Sequence, residues 1–208
     1  MRIFLLFVAA LFVFSSCSVN QTMNLNADQS GTMSFSIDYS TMAAMSKTDT
    51  SAYDPFAGIN VDSVVRSINK IEGISRTELS KDPDHVYFYF QFKNFTALNK
   101  ALNQTDLASS FVNVDPKKAT PHTYFSGSGN TLTYTPLTFD KATLEKSEES
   151  LVMAILLTIN TTINLPGKVS KLSNSVYTIS SDRKSISHSV SLDKMLKGEV
   201  NTDFTVKF

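Results

Sequence analysis

Apolar and polar residues alternate near the start of the chain in the pattern of paired β-strands. Val19, Met23 and Leu25 are separated by polar residues, and the same alternation resumes from Met33 to Tyr39. The turn-forming residues 28–31, Asp-Gln-Ser-Gly, lie between the two runs. The pattern therefore predicts a β-hairpin with one apolar face and one polar face.

A helix and a second pair of strands are predicted next. Valines and isoleucines recur at helical spacing over residues 62–72, which predicts a helix there. Asp62 is a favourable N-cap residue for this helix, and Gly73 is a favourable residue just after its C-terminus. Strands are predicted at 74–81 and 85–93. The second of them alternates between an apolar face and an outer face, the latter formed by Tyr87, Tyr89 and Gln91.

The remaining pattern is richer in strands than in helices. Residues 95–102 read as a helix capped by Asn94, and Gly127-Ser128-Gly129-Asn130 reads as the turn of a second hairpin. A short helix is also predicted at 42–45, a helix at 140–157 whose end has strand as an alternative, a long loop at 104–122, and strands over most of the C-terminal stretch to Phe208. No repeat or linker divides residues 23–208, so we expect one α+β domain built on an antiparallel β-sheet with several packed helices.

The N-terminus has the pattern of an export signal. Arg2 precedes twelve consecutive apolar residues, 3–14, which are too few to span a bilayer but match the apolar region of a signal peptide. Residues 14–17, Phe-Ser-Ser-Cys, resemble a bacterial lipobox. The resemblance implies cleavage after residue 16 and lipid attachment at Cys17, with residues 17–22 forming a short tether. A plain secretory signal with an incidental cysteine, or a short buried strand, are the alternatives.

Composition excludes several classes of function. Lys and Arg together number 19, as do Asp and Glu, so the chain has no basic excess for a nucleic acid or an anionic membrane surface. The single cysteine excludes an internal disulfide and a cysteine-based metal site. No catalytic residue, cofactor or metal ion is predicted.

Two blocks of sequence resemble uncharacterised lipoproteins of the Bacteroidota type and the LppM-like domain of actinobacterial lipoproteins. The first comprises residues 25–32 and 37–40. The second comprises Leu165-Pro166-Gly167-Lys168-Val169, residues 172–174 and residues 181–184. The resemblance implies an antiparallel sheet with packed helices, membrane tethering, no enzymatic activity and a fold that accommodates hydrophobic or lipid ligands.

Few side chains have a pattern that points to chemistry. Tyr87 and Tyr89 are candidates for contact with an apolar ligand, although an ordinary solvated sheet face explains them as well. Asp62-Ser63-Val64 resembles a Bacteroidota O-glycosylation sequence, which makes Ser63 a candidate modification site, with a helix N-cap as the simpler explanation. His188 is expected to be a hydrogen-bonded core histidine rather than a ligand or base.

These observations favour a non-enzymatic envelope lipoprotein that binds a lipid-like ligand or a partner protein near the membrane. A structural or assembly component without a small ligand is the alternative, and a hydrolase with an unmarked site is a third hypothesis. Residues 18–22 contain neither the acidic cluster of surface-exported Bacteroidota lipoproteins nor an Asp after Cys17. We therefore expect attachment to the outer membrane, with the domain facing the periplasm.

Overall fold

The computed structural model describes residues 17–40, 61–82, 84–104, 121–136 and 157–208. The predictions of a signal peptide at 1–16, a helix at 42–45, nearly all of the loop at 104–122 and the helix at 140–157 except its last residue fall outside these ranges. Within them, the helices are α1 (Val61–Asn69), α2 (Phe95–Gln104) and α3 (Leu192–Leu196). The strands are β1 (Cys17–Leu25), β2 (Gly31–Asp38), β3 (Ile74–Lys81), β4 (His85–Phe92), β5 (Phe125–Ser128), β6 (Thr131–Tyr134), β7 (Leu157–Asn164), β8 (Lys171–Leu172), β9 (Thr178–Ile179), β10 (Ser185–Ser191) and β11 (Phe204–Lys207).

The strands form two sheets. The larger has the order β3-β4-β2-β1-β7-β10-β9, and the smaller has the order β5-β6-β11-β8. Both predicted hairpins are present, as β1–β2 and β5–β6. The turn of the first contains Gln29 at a φ of 67°, and that of the second contains Gly129 at a φ of 55°. The domain is therefore dominated by β-structure, with few helices in its described part.

The prediction of an antiparallel sheet is wrong at the centre of the larger sheet. Strand β1 pairs with β7 in parallel, from Cys17 opposite Leu157 to Asn24 opposite Asn164, so this sheet is mixed. Apolar alternation could not reveal the direction of pairing because it reports only which face of a strand is buried. The pairing is reinforced by asparagine side chains on facing positions: Asn160 Nδ2 donates to Asn20 Oδ1 at 2.9 Å and Asn164 Nδ2 to Asn24 Oδ1 at 2.7 Å.

One face of the larger sheet, which we call the inner face, packs against the helices and the smaller sheet. The main core lies between these layers and joins β4, α2 and β11 through Phe90, Leu98 and Val206, all of which have no exposed surface. The predicted phase of β4 is confirmed because its four apolar residues are buried, whereas Tyr87 is 40% exposed. Among the described residues, no helix combines the length and apolarity needed to cross a membrane.

Two asparagine side chains position helix α2. As predicted, Asn94 caps α2, accepting a hydrogen bond at Oδ1 from the backbone N–H of Ala97 at 2.9 Å. Further along the same helix, Asn99 exchanges hydrogen bonds of 2.7 and 2.9 Å with the backbone of Phe125, which attaches the edge strand β5 to α2. The amide of Asn99 therefore links the helix directly to the smaller sheet.

Three predictions at the ends of helices need correction. Helix α1 ends at Asn69 rather than at residue 72, and Gly73 occupies the following turn with a φ of 87°. Asp62 lies within the first turn of α1 rather than at the cap. Leu192 falls in the C-terminal stretch predicted to be mostly strand but instead begins α3, because Ser191 Oγ accepts a hydrogen bond from the Lys194 backbone N–H and caps a helix there.

Replacing Phe90 by alanine should strongly destabilise the domain. The Phe90 ring is fully buried, and truncating a buried phenylalanine costs about 3–5 kcal/mol of folding free energy. Gln91→Ala, one residue further on the opposite face, should change the free energy of unfolding by less than about 0.5 kcal/mol. Urea denaturation followed by circular dichroism measures both. Equal shifts of the two midpoints would contradict the assignment of Phe90 to the core.

Candidate functional site

Cys17 lies where β1 begins, and its environment differs from that of an exposed anchor. The side chain is 2% exposed and belongs to a second apolar cluster at this end of the sheet. We call it the end cluster; its buried members are Cys17, Val19, Ile37, Tyr39, Val86 and Leu157. Residues 17–22, predicted as a tether, instead form the first part of β1. Attachment of a lipid to this sulfur would therefore have to precede folding of β1 into the sheet.

A row of polar residues separates the end cluster from the main core on the inner face. Gln21 of β1 lies opposite Thr161 of β7, and Thr161 lies opposite His188 of β10. The row is flanked along β1 by Val19 in the end cluster and by Met23 in the main core. Gln21 and Thr161 are half-buried. Polar residues thus interrupt an otherwise apolar sheet face between two hydrophobic surfaces.

His188 is the most unusual member of this row. Its side chain is 8% exposed and its Nδ1 is buried without a hydrogen-bond partner, which corrects the expectation of a hydrogen-bonded core histidine. The ring packs edge-on against Tyr177 with a centroid distance of 4.6 Å, and Tyr177 Oη donates to the carbonyl of Thr202 at 2.8 Å. Burial lowers the pKa of His188 to about 4, so the imidazole is neutral at neutral pH.

The unpaired Nδ1 of His188 lowers the stability of the domain. Such an atom destabilises a fold by about 1–3 kcal/mol, and an unpaired group in a native structure calls for an explanation, such as a bound water molecule or a functional role. Together with Gln21 and Thr161, the neutral His188 imidazole can both donate and accept hydrogen bonds. The row is therefore suited to hold an uncharged polar group between two apolar surfaces.

The candidate tyrosines lie on the opposite face of the sheet from this row. Tyr87 is exposed, whereas Tyr89 is half-buried and its hydroxyl accepts a hydrogen bond from Gln91 Nε2 at 3.2 Å. The structure therefore does not bring Tyr87 and Tyr89 together with His188. Ser63 lies apart from both, exposed on α1.

A groove between α1 and β3 was missed by sequence reasoning. It has a volume of about 470 Å³, and charged residues of both elements contribute to its lining together with Thr77. Thr77 Oγ1 is buried without a hydrogen-bond partner, and the preceding Arg76 has a φ of 48° where β3 bulges away from β4. The groove is open and its lining is mixed, with Asp62, Val65, Arg66, Thr77, Glu78 and Leu79 all contributing.

The other two histidines have local explanations. His85 lies beside three exposed carboxylates, the nearest being Asp84 at 2.8 Å, and this hydrogen bond raises the pKa of His85. Asp82 in the same group accepts a hydrogen bond from the His85 backbone at 2.8 Å, so it stabilises the turn between β3 and β4. His122 Nε2 lies 2.9 Å from the Thr135 carbonyl. Among the described residues, neither His122 nor His188 forms an ion pair with a carboxylate.

Comparison with known proteins found similarity to a solved structure, but not to a family model or a curated protein. No family model matches the chain, and no curated protein matches it. The NMR structure of the folded domain of Mycobacterium tuberculosis LppM is similar to 93% of this chain over 90% of its own length, with 10% sequence identity and a TM-score of 0.46. This similarity carries no residue role or ligand over to the present chain.

The buried histidine should make the domain sensitive to acid. The pKa of His188 is about 4 in the folded chain and about 6.5 when unfolded, so the unfolded state takes up the proton first. Stability from the neutral imidazole is complete above pH 6.5 and is lost as the pH falls towards 4, by roughly 3 kcal/mol. His188→Phe should remove this part of the pH dependence, as measured by urea denaturation at pH 7, 5.5 and 4.

His85→Gln is the matched control. The pKa of exposed His85 is raised, so its contribution has the opposite sign: it is present at low pH and lost as the pH rises through the folded pKa. Removing it should leave the acid loss intact. If His188→Phe and the unmodified protein lose stability in parallel between pH 7 and 4, His188 is not the responsible group.

Proposed function

We propose that this protein is an envelope lipoprotein, anchored through Cys17, that binds an amphipathic lipid-like ligand on the inner face of its larger sheet and catalyses no reaction. The observation that carries the proposal is the polar row of Gln21, Thr161 and His188 between two apolar clusters. An amphipathic molecule likewise has an apolar part and a polar group. The apolar part would contact the clusters, and an ester or hydroxyl group would meet the row.

The neutrality of His188 narrows the ligand chemistry. A buried imidazole with a pKa near 4 offers one donor and one acceptor but no positive charge at neutral pH. An anionic headgroup held at this position would gain no charge pairing from it. The row therefore favours an uncharged polar group, such as the ester linkage of a glycerolipid or a hydroxyl group.

The position of Cys17 supports a domain held directly against the bilayer. Strand β1 begins at Cys17 itself, so an acyl group on this residue would leave the fold at the end cluster with no intervening linker. Two or more acyl chains provide stable anchoring, whereas one is marginal. The proposed location is the outer membrane with the domain in the periplasm, on the sequence grounds given above. A partner protein in the same compartment is compatible with this placement.

Cys17→Ser should release the protein from membranes. Serine cannot receive the thioether-linked lipid, so the variant should move to the soluble fraction, while Ser16→Ala should remain membrane-bound. Fractionation after a high-salt wash, followed by separation of inner and outer membranes on a density gradient, measures anchoring and location together. A Cys17→Ser variant that stays with the membranes would exclude this anchor. An unmodified protein found only in the soluble fraction would support the alternative of a plain secretory signal and a core cysteine.

Native mass spectrometry should detect a non-covalent lipid on the full chain purified from membranes in detergent. Each lost hydrogen bond costs about 1 kcal/mol, so His188→Phe combined with Gln21→Leu should lower adduct occupancy about tenfold or more. Gln91→Leu makes the same polar-to-apolar change on the outer face and should leave occupancy unchanged. Absence of any adduct on the unmodified protein would favour the alternative of a structural component without a small ligand.

A further inference from the structure

The face of the larger sheet that points away from the core has an unusual composition. We call it the outer face. On its four central strands β2, β1, β7 and β10, every position but one is serine, threonine or asparagine, and the exception is Asp38 at the end of β2. These positions are Thr32, Ser34, Ser36 and Asp38; Ser18, Asn20, Thr22 and Asn24; Thr158, Asn160, Thr162 and Asn164; and Ser185, Ser187, Ser189 and Ser191. All are half-exposed or exposed.

These side chains form a regular grid because the strands are in register. Ser34, Thr22, Thr162 and Ser187 face one another across the four strands, and the neighbouring rows are aligned in the same way. Successive rows are about 7 Å apart along a strand, and neighbouring strands are about 4.8 Å apart. Part of the grid is held in place, since Asn24 Nδ2 donates to Thr32 Oγ1 at 2.8 Å and Asn24 Oδ1 accepts from Asn164 Nδ2 at 2.7 Å.

The lack of charge is the informative feature. Exposed sheet surfaces normally carry long charged side chains, which discourage association, and 18% of this chain is charged. The charged groups of this face instead lie at its border, where Glu78 of β3 adjoins Tyr89 and where Asp38 adjoins His85. The described helices pack on the inner face, through Ile68, Leu98 and Leu192. The grid is therefore a neutral surface rich in hydrogen-bonding groups.

The uncharged, non-aromatic composition of the grid disfavours several classes of binding partner. Nucleic acids require cationic side chains, membrane surfaces require apolar or basic ones, and the centre of a protein interface is enriched in aromatic residues, methionine and arginine. An uncharged polymer bearing many hydroxyl groups needs none of these. It needs short hydroxyl and amide side chains that lose little rotamer freedom on binding, as the grid provides.

Two aromatic side chains border the grid on the same face. Tyr87 lies opposite Ser36, and Tyr89 lies opposite Ser34, on strand β4. Tyr87 is 40% exposed, one of the few large apolar side chains in the described part of the chain with that much accessible surface. A tyrosine ring offers an apolar face together with a hydroxyl, and sugar rings have complementary C–H faces and hydroxyls. Tyrosine, serine and asparagine also dominate adaptable recognition surfaces in antibodies.

We infer that the outer face binds an extended, uncharged polysaccharide, with the neutral grid hydrogen-bonding to sugar hydroxyls and Tyr87 stacking on a sugar ring. This activity is separate from ligand binding at His188, because the two surfaces lie on opposite faces of the sheet. An anionic polymer is a poor fit for this face, because Glu78 and Asp38 at its border repel anions and the grid supplies no cationic side chain.

The test is retention of the purified full chain, in detergent, on insoluble chitin and cellulose, with cross-linked alginate as the anionic counterpart. The unmodified protein should be retained by at least one uncharged polymer and not by alginate. Tyr87→Ala should weaken retention about tenfold through loss of stacking. Thr162→Asp, which places a charge at the centre of the grid, should abolish it. Ser126→Asp makes a similar change on β5 of the smaller sheet and should have no effect.

Circular dichroism and thermal denaturation of each variant distinguish loss of binding from loss of fold. Because Tyr87 is exposed, its replacement by alanine should leave the packing of the core unchanged. Retention by neither uncharged polymer, equal retention on alginate, or unchanged retention of correctly folded Thr162→Asp and Tyr87→Ala would overturn the inference. A concentration-dependent dimer in the unmodified protein that Thr162→Asp dissociates, without polysaccharide retention, would assign the face to self-association instead.

Discussion

The parallel pairing of β1 with β7 is the constraint on which the rest of the larger sheet depends. It places β1 at the centre, with β2 on its other side, so both faces of the sheet are organised around this strand. Because alternate residues of a strand point to opposite faces, a shift of one residue would exchange core and surface along its whole length. The hydrogen bonds from Asn160 to Asn20 and from Asn164 to Asn24 oppose such a shift, and they do so without placing a charge on the sheet.

The same alternation gives the two faces different chemical properties. On the inner face it supplies apolar residues except along the row that includes Gln21 and Thr161. On the outer face it supplies hydroxyl and amide side chains in register. A substitution that maintains alternation but changes one face, such as His188→Phe, therefore leaves the other face untouched. The proposed lipid site and the proposed polysaccharide surface can for this reason be altered independently, although they share the same strands.

Local patterns predicted the elements better than their arrangement. The bounds of β3, the phase of β4 and the cap at Asn94 follow from spacing and side-chain chemistry within a few residues. The spacing of Ile74 and Leu79 also contained an unused signal: residues five apart in a regular strand point to opposite faces, yet both pack against the core, so a bulge must lie between them.

The parallel pairing and the polar row could not be predicted because each depends on residues far apart in sequence. Burial of Cys17 was missed because a lipobox pattern carries no information about packing. His188 was placed on the correct face, but its unpaired Nδ1 depends on neighbours that no local pattern specifies.

The distance in sequence between β1 and β7 also determines when the fold can be completed. Asn20 and Asn160 are 140 residues apart, and contacts of such high sequence separation form slowly because the entropy of closing the intervening chain must be overcome first. During synthesis, β1 has its hairpin partner β2 early, but its other edge stays unpaired until residues 157–164 have emerged. The end cluster is likewise incomplete until Leu157 arrives, so the sulfur of Cys17 stays accessible during that interval. Long-range topology thus provides an interval during which a residue that the finished domain buries is still open to chemical modification.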